Sequence, residues 1–249
     1  MNGITESARS SRAGQRGFSI VEVAIVLVII GLLLGGILKG QEMMNSARVR
    51  NLADMTAAVR AAYFGFIDRY RNVPGDWDGA EASRAIGVAL VSPGGNNNGR
   101  LDHPAGQEYG EPIAAWEQLA KSGFLQGNYV GGAATDEPDA GSNQAPLNAF
   151  NNVVSIGRTP DYEGVSPVAL GVIVGRGVPV RIAQELDTKM DDGVPDTGVM
   201  RATAADGSVT VFARTNEWGG RESACVTTSA PIIWDVAADS QDCNSVLLF

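Results

Sequence analysis

The chain has 249 residues, 44% of them hydrophobic, and a formal net charge of −9; this composition excludes a wholly disordered chain and fits one large domain or two small ones. The charge is unevenly placed: residues 18–73 carry six basic against four acidic side chains, whereas residues 74–249 carry ten against 23. So acidic a body disfavours nucleic acid as a partner, because neutralising phosphates needs clustered Lys and Arg.

Residues 1–17 hold Arg9, Arg12 and Arg16 and no apolar run, a pattern retained on the cytoplasmic side while the next segment inserts. Residues 18–38 are the stretch apolar for long enough to cross a bilayer, since about 20 helical residues at 1.5 Å each span roughly 30 Å of hydrocarbon. The expected topology is a single pass with the N-terminus cytoplasmic and the body periplasmic. A secretory signal places its small cleavage residue after the hydrophobic run. Here Gly17 precedes it.

The run Arg16-Gly17-Phe18-Ser19-Ile20-Val21-Glu22, followed by VAIVLVIIGLLLGGIL, resembles the cleavage and methylation motif of type IV pilins and type II secretion pseudopilins. The resemblance implies a prepilin peptidase as partner, cutting between Gly17 and Phe18 and methylating the new amino group of Phe18. Residues 1–17 are then a cleaved leader. It also implies assembly with other pilin or pseudopilin subunits on an inner-membrane platform, ending in an extracellular pilus or a periplasmic pseudopilus. A carboxylate such as Glu22 is costly inside an apolar helix unless paired. In the family it is taken to neutralise the N-terminal ammonium of a neighbouring subunit; a lone acid at the membrane interface is the plainer alternative. Gly31, Gly35 and Gly36 interrupt the helix and suit close packing or local unwinding. Many pilins carry a proline near the outer end of this segment, and here none occurs before Pro74.

Residues 39–73 continue as an amphipathic helix. Leu52, Met55, Val59, Tyr63, Phe66, Ile67 and Tyr70 recur every three or four positions, with Arg48, Arg50, Asp54, Arg60, Asp68 and Arg69 opposite. Pro74-Gly75 ends the pattern. A helix from 18 to near 73 would be about 80 Å long, which suits a pilin stalk.

Residues 74–249 form the head. The run Pro93-Gly94-Gly95-Asn96-Asn97-Asn98-Gly99-Arg100-Leu101-Asp102 reads as a plain loop, because a calcium loop wants carboxylates at alternating positions. Residues 111–123 read as a short helix with Ile113, Trp116, Leu119 and Ala120 inward, and 128–152 as a long surface excursion. Residues 167–174 and 177–182 read as a hairpin turned at Gly175-Arg176. A short helix follows over 181–190, then a second hairpin of 199–203 with 208–213. The expected fold class is α+β and type IV pilin-like, a long N-terminal helix packed on an antiparallel sheet.

Asp187, Asp191, Asp192 and Asp196 are the metal candidate; they are either oxygen ligands for calcium or a helix end followed by an acidic turn, the turn being the plainer reading. No other cofactor is expected. Cys225 and Cys243 suit a disulfide in an exported head, two buried thiols being the alternative. The loop they close lies where many pilins carry a C-terminal disulfide. His103 is the only histidine, and it stands in a polar loop with no nucleophile motif nearby, so no catalytic role is assigned. RYRNVPGDW, AAWEQLAKSGFLQGNY and LDTKMDDGVPDTGVMRA also resemble a group of large prepilin-type proteins of Gram-negative bacteria.

Three functions fit. The first is a structural subunit of a type IV pilus-like filament, its large head suggesting a minor or tip position. The second is a type II secretion pseudopilin. The third is a membrane-tethered binding domain that borrows the leader for export.

Overall fold

The computed structural model describes residues 19–102, 109–132, 138, 140–204 and 225–249. The chain forms two units, one ending at Met44 and one spanning Asn45–Phe249. A single helix, α1 (Ile20–Tyr70), runs through both. Then come α2 (Gly79–Ile86), α3 (Gly110–Lys121), β1 (Ser155–Thr159), β2 (Ala169–Ile173), α4 (Val180–Met190), β3 (Met200–Ala202) and β4 (Ser245–Leu248).

In the first unit the apolar side chains face outward: Ile20 is 88% exposed, and the large residues through Leu38 are likewise open. The segment is long and apolar enough to cross a membrane. From Val49 onward the helix turns one face into the second unit's core. Val49, Leu52, Ala53, Thr56, Val59, Ala62, Tyr63 and Phe66 are buried, the three-and-four spacing of a half-buried helix. Thr56 is tolerated there because its hydroxyl donates to the Leu52 and Ala53 carbonyls at 3.1 and 2.9 Å.

The α1 residues enter two apolar clusters. Val59, Tyr63 and Phe66 join Ile113, Trp116 and Leu119 of α3 and Ile156, Val172, Ile173 and Val246 of the sheet. Val49, Leu52 and Ala53 join Val180, Ala183 and Leu186 of α4, Met200 of β3, and Trp234 between the two cysteines. The C-terminal Phe249 ring lies 5.8 Å from Tyr63 and 5.7 Å from Phe64, edge-on to both.

The sheet is antiparallel in the order β1-β2-β4-β3. Ile156 faces Val172, Val172 faces Leu247, and Arg201 faces Val246. An antiparallel sheet behind a long N-terminal helix is therefore the α+β, pilin-like layout. Its pairings differ from the expected ones. Residues 167–174 do contain β2, but 177–182 do not return as its partner. Only Val178 bridges Cys243, and Pro179, which cannot donate to a ladder, stands at the start of α4. β3 takes β4 as its described neighbour. Residues 208–213, its expected partner, lie outside the described residues, as does His103.

Residues 128–152 are less superficial than expected. Ala145, Asn148 and Pro146 are buried, and the Asn148 amide donates to the Val174 and Arg176 carbonyls at 3.1 and 3.0 Å. α3 is buried almost throughout, its polar residues included. Glu117 accepts the Val91 and Ser92 amides at 2.7 and 2.8 Å, and Gln118 holds the Gly75 amide and the Trp77 carbonyl at 2.9 Å each. These side chains satisfy loop backbone that would otherwise be orphaned in the core.

Candidate functional site

The N-terminal segment presents its chemistry on an open helix. Ser19 supplies the first turn, its hydroxyl accepting the Val21 amide at 3.3 Å and its carbonyl accepting Val23 N–H at 3.2 Å. Glu22 follows in the first helical turn, where a carboxylate complements the helix dipole. Around it stand exposed Ile20, Val21, Val23, Ile25 and Val26. No Cβ at Gly31, Gly35, Gly36 or Gly40 would meet a neighbour. Gly17 and Phe18 lie outside the described residues.

A second constellation sits at the end of α4. Asp187, Asp191 and Asp192 each bring a carboxylate oxygen within 4.8 Å of the others; Asp196, expected with them, lies outside this group. Asp191 caps the end of α4 with its N–H on the Asp187 carbonyl at 2.7 Å, which keeps the two residues together, while Asp196 follows four residues beyond Asp192 in the turn before β3. Asp187 is fully buried. Its Oδ2 accepts the Trp234 indole N–H at 2.8 Å, and its Oδ1 has no hydrogen-bond partner. Burial pushes its carboxyl up to about 6, the Trp234 bond and the nearby Gly193 N–H opposing this and the charges of Asp192 and Asp191 adding to it. Asp191 Oδ2 accepts the Val199 and Met200 amides. Asp192 accepts the Val194 amide at 2.9 Å and the Thr197 hydroxyl at 2.6 Å. Those two bonds, the hydroxyl first, hold its carboxyl below the usual range.

A third constellation was not legible as such in the sequence. Asp76, 2% exposed, accepts the Asn98 and Gly99 amides on its two carboxylate oxygens at 3.0 and 2.7 Å. It thereby folds the glycine- and asparagine-rich loop around itself. Glu111, 3% exposed, accepts the Asp102 amide at 2.7 Å on Oε2, while Oε1 is buried without a partner. Burial drives the Glu111 carboxyl up to about 7, with the Asp76 and Asp102 charges adding to it. Asp102 in turn lies 3.9 Å from Arg158 of β1. Asp76 and Asp102 lie 35 and 9 residues before Glu111 in sequence, so only the fold brings them together.

Cys225 and Cys243 form a disulfide. The loop between them folds back on itself, with Asp235 N–H donating to the Cys225 carbonyl at 2.8 Å and Thr227 N–H to that of Ile233 at 2.9 Å.

The family model described as a prokaryotic N-terminal methylation motif matches residues 12–38. No curated protein and no solved structure is similar enough to the chain to match it.

Proposed function

From the N-terminal methylation segment of the type IV pilin and pseudopilin superfamily, we propose that this chain is a structural subunit of a type IV pilus-like filament. The observation that carries the reading is the pairing of that motif with α1, whose first half is apolar and open and whose second half is the spine of a disulfide-bonded head. The coarser reading, a pilin- or pseudopilin-type structural subunit, rests on the same motif.

In the proposed mechanism, prepilin peptidase cuts between Gly17 and Phe18 and leaves an ammonium at Phe18, which it methylates. The head is held on the periplasmic side by residues 18–38. The exposed apolar face of α1 then moves from lipid into contact with the same face of neighbouring subunits, so little apolar surface meets water at any stage. Glu22 of one subunit pairs with the Phe18 ammonium of the next. A buried pair of this kind contributes register more surely than stability, because desolvation offsets much of the attraction.

Sheared surface filaments, analysed by mass spectrometry and labelled with an antibody to the head, test the assignment. Peptides beginning at methylated Phe18 in that fraction support it. A processed chain found only in the cell envelope, and needed for secretion through an outer-membrane channel, would make it a pseudopilin instead.

A further inference from the structure

Beyond assembly, we propose that Asp187, Asp191 and Asp192 form a binding site for a calcium ion at the junction of α4, the following turn and β3. The first ground is geometric. Calcium takes carboxylate oxygens at about 2.3–2.6 Å, so ligands on one ion lie up to roughly 5 Å apart. The three carboxylates offer oxygens within 4.8 Å of one another.

The second ground is independent of the cluster. Asp187 is wholly buried, and its Oδ1 has no hydrogen-bond partner although Oδ2 is held by Trp234 at 2.8 Å. A buried carboxylate oxygen left without a donor loses its hydration uncompensated, and a cation shared with Asp191 and Asp192 removes that cost. Trp234 then plays the part that partners of metal ligands usually play, fixing the orientation of the carboxylate. The other two carboxylates are also held in place, Asp191 by the Val199 and Met200 amides and Asp192 by Val194 and Thr197. Each of those carboxylates retains lone pairs beyond these bonds. The negative end of the α4 dipole adds to the attraction. An all-oxygen ligand set suits a hard ion.

Terbium, which occupies calcium sites, provides the test on the full chain in detergent micelles. Exciting tryptophan should produce terbium emission, because Trp234 touches a ligand; calcium chloride should quench it by displacement and raise the unfolding temperature. D191N should weaken calcium binding, read by calorimetry, by at least about tenfold. If D191N fails to fold, D192N alters an exposed side chain and should show a comparable loss with an unchanged circular-dichroism spectrum. Absent emission, an unfolding temperature indifferent to calcium, or affinity unchanged in D192N would overturn the site.

Discussion

The Trp234 indole, in the loop closed by the disulfide, donates to the Asp187 carboxylate of α4 at 2.8 Å, with both side chains almost completely buried. It ties the C-terminal loop to a helix 47 residues earlier in the chain. The same pair supports the acidic cluster beside it.

Replacing the indole by a ring without a donor should therefore cost more than its lost packing. Trp234→Phe leaves both Asp187 oxygens without a side-chain donor, for an expected loss of about 1–3 kcal/mol beyond the volume change. Thermal unfolding of W234F, D187A and the double variant measures it. A double variant much less destabilised than the sum of the singles is expected, since the two side chains share one bond. Strict additivity would show that the bond contributes nothing.

Glu111 should make the head less stable as pH rises. Its carboxyl titrates near 4.5 in an unfolded chain and at about 7 in the fold, so between those values the folded state binds more protons. The stabilisation is present below 4.5 and is lost as pH climbs to about 7, by up to about 3 kcal/mol. Asp76 and Asp102 face the group and strengthen the effect, and Arg158 reaches Asp102 from β1. The contribution is isolated by subtracting the stability–pH curve of E111Q from that of the parent, measured by denaturant unfolding. A difference that is flat from pH 4.5 to 7 would remove Glu111 as the cause.

Gly95 is required for space. A Cβ there would lie 2.7 Å from Glu111 Oε1 and 2.6 Å from the Asp76 Cα, so the Glu111 side chain and the Asp76 backbone would both have to shift. Gly95→Ala should destabilise by about 1–3 kcal/mol, the usual range for overpacking. Gly87→Ala gives a useful comparison. It has open space but a φ of +83° at the end of α2, so its cost is backbone strain alone. If G95A unfolds at the parent's temperature, the loop does not press on Glu111 as described.

What could be read from the sequence was what a local period records. α1 was legible because Leu52, Val59, Tyr63 and Phe66 repeat at helical spacing, and α3 and α4 carry the same signal over one face. α2 was missed although Asp78 and Glu81 stand at capping-box spacing; the Asp78 carboxylate does accept the Ala80 and Glu81 amides. β1 and β4 were missed for a different reason. Ser155, Ile156 and Gly157 are all buried, as are Ser245, Val246 and Leu247, so neither strand alternates between apolar and polar. The acidic triplet was half legible, since the i and i+4 pair is local, whereas the exclusion of Asp196 and the Trp234 contact depend on tertiary folding. The Glu111 site depends on residues 76, 102 and 111 converging, and no period marks such an encounter.

Glu22 provides the sharpest separation between export and assembly. It stands in the first turn of an apolar helix, four positions after Phe18, and in the proposed filament its carboxylate pairs with the Phe18 ammonium of the neighbouring subunit rather than taking part in cleavage. Glu22→Ala should leave cleavage and methylation of Phe18 intact, which mass spectrometry of the membrane fraction reads directly. It should also reduce incorporation into sheared filaments by at least about tenfold, because a Phe18 ammonium buried without a partner costs several kcal/mol. Glu22→Gln separates charge from shape: it retains the hydrogen-bonding outline and should fail nearly as badly if charge neutralisation sets the register. Normal incorporation of E22Q together with failure of E22A would assign the role to hydrogen bonding instead. Normal incorporation of both variants would remove Glu22 from assembly, leaving the apolar face of α1 to set the packing alone.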